Sequence, residues 1–147
     1  MNEGGSLENP VHVIKNAVEL APVDIKFDST GTRVAATSMD NSLKIYELKN
    51  GDNLTSNLLK DSNTTEAGQT LDPWKVCFNP KNSSQVLTGQ QNLQVVNLGE
   101  DFSIAAEIKH NKYINCLDFA PNGNFVASGD IDGAVKVFDS NTREMKG

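Results

Sequence analysis

His110, Ser128 and Asp132 are, by type, the parts of an acyl-transfer site: an imidazole base, a hydroxyl nucleophile and a carboxylate to orient the base. Type alone decides little, because a working triad must converge on a nucleophile that a substrate can reach. Motifs of other chemistry are missing from the sequence. There is no GxSxG, no HExxH, no phosphate-binding P-loop and no dense cluster of carboxylates or histidines. The second histidine, His12, alternates with Val11 and Val13, as an exposed residue on an edge strand would. Cys77 and Cys116 each sit inside a β-like apolar run with no CxxC or Cys/His array, so both read as core thiols of a reducing compartment. No catalytic residue, metal site or cofactor is expected.

Ser128 and Asp132 fall inside a unit that the sequence repeats, and repeats decide architecture before anything else does. The first copy reads Val23-Asp-Ile-Lys-Phe27, then Arg33-Val-Ala-Ala-Thr-Ser-Met-Asp40, then Ser42-Leu-Lys-Ile-Tyr46-Glu-Leu48. The second reads Trp74-Lys-Val-Cys-Phe78, Gln85-Val-Leu-Thr-Gly89 and Leu93-Gln-Val-Val-Asn-Leu98. The third reads Asn115-Cys-Leu-Asp-Phe119, Phe125-Val-Ala-Ser-Gly129 and Ala134-Val-Lys-Val-Phe138. Apolar and polar residues alternate with period two, as half-buried strands require. Phe27, Phe78 and Phe119 occupy equivalent positions, 51 and then 41 residues apart. Asp28-Ser-Thr-Gly31, Asn79-Pro-Lys-Asn82 and Ala120-Pro-Asn-Gly123 carry tight-turn residues, while Asp40-Asn41 and Asp132-Gly133 suit hairpins with left-handed central residues. A weaker fourth strand follows, near Leu54 to Leu59 and near Phe102 to Ile108. A four-stranded unit recurring at about 40 to 45 residues is a β-propeller blade.

Composition limits what such blades can bind. With 37% hydrophobic and 22% charged residues, the 147-residue chain has a globular make-up, but its net charge of −6 and pI near 4.8 oppose a nucleic-acid groove, which needs clustered Lys and Arg. No basic n-region with an apolar run opens the sequence, and no stretch approaches the length of a membrane span. Neither secretion, nor a membrane, nor a small-molecule substrate is expected.

The stretch Phe125-Val-Ala-Ser-Gly-Asp-Ile-Asp-Gly-Ala-Val-Lys-Val-Phe-Asp139, with His110 nine residues before Phe119, resembles a WD repeat. The closing Trp-Asp pair is altered to Tyr46-Glu47, Val96-Asn97 and Phe138-Asp139. The resemblance implies an all-β fold, a partial WD-repeat β-propeller of about three four-stranded antiparallel blades. It also implies that His110, Ser128 and Asp132 form a structural hydrogen-bond set within a blade and not a catalytic triad. Phe138 replaces the tryptophan of that set and has no N–H to give. In the other blades Val18 and Gln69 stand at the histidine's place, and Ala36 and Thr88 at the serine's.

Three stretches are similar, more narrowly, to the small WD-repeat subunits shared by the superkiller mRNA-decay complex and the Paf transcription-elongation complex. They are Pro22 to Phe27 with Val34 to Asp40, then Leu71-Asp-Pro-Trp-Lys-Val-Cys-Phe-Asn-Pro80, and then Phe125 to Gly133 running on to Asp139. The short hairpin Gly89-Gln-Gln-Asn-Leu93 and the polar insertion Asp61 to Thr70 depart from that pattern. The implied function is a non-enzymatic scaffold that binds protein subunits in the nucleus and cytoplasm, with an adaptor of another intracellular complex, or an RNA- or chromatin-binding propeller, as the alternatives. Partners of the family dock where each first strand begins and each second hairpin turns. Carried over, that rule gives Val23, Trp74 and Asn115, then Ala21, Asp72 and Tyr113, then Met39, Gln91 and Ile131. Trp74 and Tyr113 have the rings of binding hot spots, although Trp74 also suits packing between blades.

The implied organisation is a disordered tail over 1–10, an outer strand of a preceding blade over 11–16, blades over 17–60, 74–109 and 110–147, and a polar connection over 61–73. The last blade is incomplete. A closed WD propeller needs roughly six or seven blades. That arithmetic points to a piece of a longer propeller, with self-association to complete the ring as the alternative.

Overall fold

A computed structural model describes residues 10–50, 54–62, 73–99, 102–109, 112–141 and 145–146. Their alternating segments fold into twelve strands: β1 (Pro22–Phe27), β2 (Arg33–Ser38), β3 (Leu43–Asn50), β4 (Leu54–Ser62), β5 (Lys75–Asn79), β6 (Asn82–Gly89), β7 (Asn92–Leu98), β8 (Phe102–Lys109), β9 (Ile114–Phe119), β10 (Phe125–Asp130), β11 (Val135–Asp139) and β12 (Met145–Lys146). Each consecutive four make one antiparallel sheet in chain order, so the all-β architecture of three four-stranded blades holds. The turns form as their residues dictate. Gly31 and Gly123 take φ of 73°, and the hairpin residues Asn41 and Gly133 take 63° and 86°, backbone geometry that glycine and asparagine tolerate best.

The register is the same in all three sheets: Val34 lies opposite Tyr46, Val86 opposite Val96, and Val126 opposite Phe138. Period-two alternation therefore gives each sheet two distinct faces. Ala35, Leu43 and Ile45 of the first sheet pack against Val76, Phe78, Val86 and Val96 of the second. From the second sheet's other face, Cys77, Leu87, Leu93 and Val95 pack against Ile114, Leu117, Val126 and Phe138 of the third. We call these the trailing and leading faces: the trailing face of one sheet covers the leading face of the next. Gly89 sits within this second layer. A Cβ there would stand 3.1 Å from the Ile114 side chain and 3.2 Å from that of Leu93, tighter than ordinary contact, so a larger residue would have to push these side chains aside by a few tenths of an ångström.

Polar bonds lock the first two sheets in register. The Asp24 carboxylate accepts from the Val76 amide at 3.1 Å, the Thr37 hydroxyl donates to the Trp74 carbonyl at 2.6 Å, and Arg33 Nη1 donates to the Ser83 carbonyl at 3.2 Å. Between the second and third, the Ile114 amide donates to the Gln90 carbonyl at 2.6 Å and Lys81 Nζ donates to Asn124 Oδ1 at 2.7 Å.

Three expectations are corrected. No strand forms over 11–16; Val11–Ile14 runs irregularly into a turn at Asn16, whose φ is 53°. An extended segment needs a ladder partner, and β1 pairs only with β2. His12, instead of pointing freely from an edge, is half-buried with Nε2 hydrogen-bonded to the Ser56 hydroxyl at 2.9 Å. Cys116 is exposed, because it lies on the trailing face of the third sheet, over which no further sheet packs. Cys77 is the core thiol that the sequence suggested. Burial, reinforced by the charge of Asp118, pushes it up to about 12, so it stays protonated and inert at neutral pH. The tail over 1–9 lies outside the described residues, as does the connecting segment over 63–72.

The first turn of the first sheet is built on Asp28, a buried carboxylate. Burial raises its proton affinity, yet hydrogen bonds from the Thr30 hydroxyl and from the Arg33, Thr32 and Gly31 amides outweigh that and hold it below the usual 3.8. A carboxylate depressed in the folded state contributes stability that is present above its unfolded value and lost as pH falls through the folded one. Asp28→Ala is expected to lower stability at pH 7 by about 1–3 kcal/mol, since it strands two amides. The variant should also lose less stability between about pH 4 and pH 2 than the unsubstituted chain. Thermal melts across that range check both expectations.

Candidate protein-docking face

In the first and third sheets the inner hairpin turn is stitched to the residue entering the first strand of the same sheet. In the first sheet the Met39 amide donates to the Ala21 carbonyl at 3.1 Å; in the third the Ile131 amide donates to the Tyr113 carbonyl, also at 3.1 Å. These are the same two positions of the repeat. The stitch places Met39 beside Ala21 and Ile131 beside Tyr113, side chains outward. Met39, Tyr113 and Ile131 are 56%, 51% and 53% exposed, although each is large and apolar. Water gains nothing from such residues, and an adaptable methionine, an amphipathic ring and a branched aliphatic have the make-up of a protein-docking surface.

Charge flanks the third sheet's pair. Lys112 Nζ lies 3.5 Å from an Asp132 carboxylate oxygen, both side chains more than half exposed. In the second sheet the turn is only Gln90-Gln91 long, with Gln91 exposed. Asp72, the residue expected beside it, lies outside the described residues. Ala21 and Asn115 are exposed, and Val23 is half-buried.

Trp74 is half-buried, and its indole N–H donates to Asn41 Oδ1 at 3.1 Å, in the hairpin of the neighbouring sheet. With Thr37 on its carbonyl, Trp74 works as a clasp between the first two sheets. Asn41, expected only as a hairpin residue, and Asp24, expected only as part of a strand, complete this junction. A single asparagine in a turn and an acidic residue in an alternating strand carry no signal of what lies across a sheet interface. In the repeat, Asp24 occupies the position that Lys75 holds in the second copy and Cys116 in the third.

The set implied for the third blade is not assembled among the described residues. His110 lies outside them. Ser128 is buried, and its hydroxyl has no partner there; nor does that of Thr88, at the same register position of the second sheet. Asp132 points to solvent instead of closing the turn. That task falls to Asp130, whose Oδ1 accepts from the Asp132 amide at 3.0 Å and from the Ala134 amide at 3.1 Å. In the first sheet Asp40 plays the corresponding part, accepting from the Ser42 hydroxyl at 2.6 Å and from its amide at 3.0 Å, which holds its carboxyl below the usual range. A buried serine and an exposed aspartate share no cleft, so Ser128 and Asp132 make no acyl-transfer site. Among the described residues no group of three or more His, Cys, Asp or Glu could hold a metal ion, and no helix is long and apolar enough to cross a membrane.

Repeated four-stranded antiparallel sheets stacked face to face define a propeller-type repeat protein. Residues 9–47 and 103–139 match the WD domain, G-beta repeat, and the chain belongs to that family. The matched spans run from the segment before a sheet through its third strand, so one repeat takes its outer strand from the blade before. The chain is 27% identical over 132 residues to WD repeat-containing protein SL1-17 of Schistosoma mansoni, covering 86% of this chain and 40% of that protein. It is 23% identical over 123 residues to Protein SOF1 of Saccharomyces cerevisiae, covering 80% of this chain and 23% of SOF1. Protein tipD of Dictyostelium discoideum is 25% identical over 124 residues, covering 76% and 18%. The chain thus spans less than half the length of these curated relatives.

Proposed function

We propose that the chain is a non-enzymatic scaffold that docks protein subunits on the hairpin face of its blades. The observation that carries this reading is the outward display of Met39, Tyr113 and Ile131 at one repeated, backbone-stitched position. Family membership supports it, since repeats of this family generally serve as protein-binding scaffolds. In its narrower form the reading makes the chain part of an mRNA-decay assembly of the superkiller type or a transcription-elongation assembly of the Paf type, working in the nucleus and cytoplasm. Support for that form is the similarity of the stretches around Phe27, Trp74 and Phe125.

The test is reconstitution. The purified chain is mixed with the remaining subunits of either complex and the assembly is followed by gel filtration. Co-elution is expected with one of them. Failure with both removes the narrower reading; failure of affinity purification from cells to enrich any protein partner would remove the scaffold as well.

A further inference from the structure

The two stitched positions of the docking face differ in charge. At the first sheet's stitch the neighbours of Ala21 and Met39 are Leu20, itself 55% exposed, and Asp40, whose carboxylate is turned onto the hydroxyl and amide of Ser42. At the third sheet's stitch the neighbours of Tyr113 and Ile131 are Lys112 and Asp132. There Asp130 accepts from the turn's amides, so the Asp132 carboxylate faces solvent, with the Lys112 ammonium 3.5 Å away. The second sheet's shorter turn has Gln90 and Gln91 in this place and no charge. An ion pair as exposed as Lys112 with Asp132 adds little to the fold, because water screens it and both side chains lose rotamer freedom to hold it. Its charges are therefore easily exchanged for those of a partner. They also adjoin an apolar pair joined backbone to backbone, so four side chains make one patch: Lys112 and Tyr113 from the strand entry, Ile131 and Asp132 from the turn.

We infer that Lys112 and Asp132 set which partner this patch accepts and in which direction it lies. The partner is a protein segment with an apolar anchor for Tyr113 and Ile131 and, beside the anchor, one acidic and one basic side chain in fixed order, the acid meeting Lys112 and the base meeting Asp132. The inference rests on the docking reading above and adds the partner's chemistry to it. The apolar pair attracts a segment lying in either direction, whereas the charged pair distinguishes the two, since the wrong direction brings like charges together. The first sheet's Leu20 and Met39 have no such means of choosing, because the one carboxylate beside them is held by its own turn.

Short random peptides displayed on phage and selected on the immobilised chain supply the test. Selection is expected to return peptides that share an apolar residue with an acidic and a basic neighbour in one order. The charge-swapped variant, Lys112→Asp with Asp132→Lys, keeps an ion pair on an exposed surface and should keep the melting temperature of the parent. It should return the opposite order, and bind the peptides selected on the parent at least about 10-fold more weakly. Peptides without the charged neighbours, the same order from both chains, or an empty selection would each overturn the inference. The docking reading fails separately: peptides that bind the Tyr113→Ala, Ile131→Asp double variant as tightly as the parent do not use this face, which removes both, whereas loss of binding in that variant with no effect of the swap removes the inference alone.

Discussion

Leu93→Ala is expected to destabilise the fold by about 2–5 kcal/mol, a large part of the roughly 5–15 kcal/mol that holds a domain together. Leu93 is almost wholly buried where Gly89 admits the third sheet, among Leu87, Ile114 and Leu117. Truncation removes apolar area from burial and leaves a void that two packed sheets collapse to fill only in part. Leu58 on β4 supplies the control. It is half-exposed at the outer edge, and Leu58→Ala should stay within about 0.5 kcal/mol. Urea denaturation of both variants decides the matter: a Leu93→Ala shift no larger than that of Leu58→Ala would mean that the second and third sheets do not share a core.

The strands and turns were legible because they are local. Period-two alternation marked the strands that the structure forms around Phe27, Phe78 and Phe119 and those that follow each, and glycines or asparagine marked the left-handed turn positions that the structure realises at residues 31, 41, 123 and 133. Relations between sheets were not local and stayed hidden. Phe27, Phe78 and Phe119 look alike in the repeat, yet Phe78 is core and Phe27 is solvent-facing, because coverage depends on the neighbouring sheet and not on the strand's own pattern. The same blindness made Cys116 a core thiol on paper. Asp130 carried no signal in the sequence, because which carboxylate caps a turn depends on where the strand ends, and β10 runs to Asp130, bringing that side chain under the turn's amides. Trp74 had two readings in the sequence, and its bond to Asn41 gives it at least the structural one.

The docking face is where substitution should separate binding from folding most sharply. Tyr113→Ala with Ile131→Asp is expected to weaken partner capture by at least about 30-fold, the equivalent of one strong hot spot of roughly 2 kcal/mol. Both side chains are more than half exposed, while the stitch that shapes the face runs between their backbones, so the double variant should keep the melting temperature of the parent. Trp74→Phe probes the other candidate and should behave differently. Removing its indole N–H leaves Asn41 Oδ1 without its donor and loosens the junction of the first two sheets, so stability falls before any loss of binding can be read. Partner titration by calorimetry, paired with melts of the same samples, distinguishes the two behaviours. Unchanged affinity in the double variant would place the docking surface elsewhere, on the exposed rim of β4 and β8. A drop in affinity matched by an equal drop in stability would mean that Tyr113 and Ile131 hold the third sheet together and do not receive a partner.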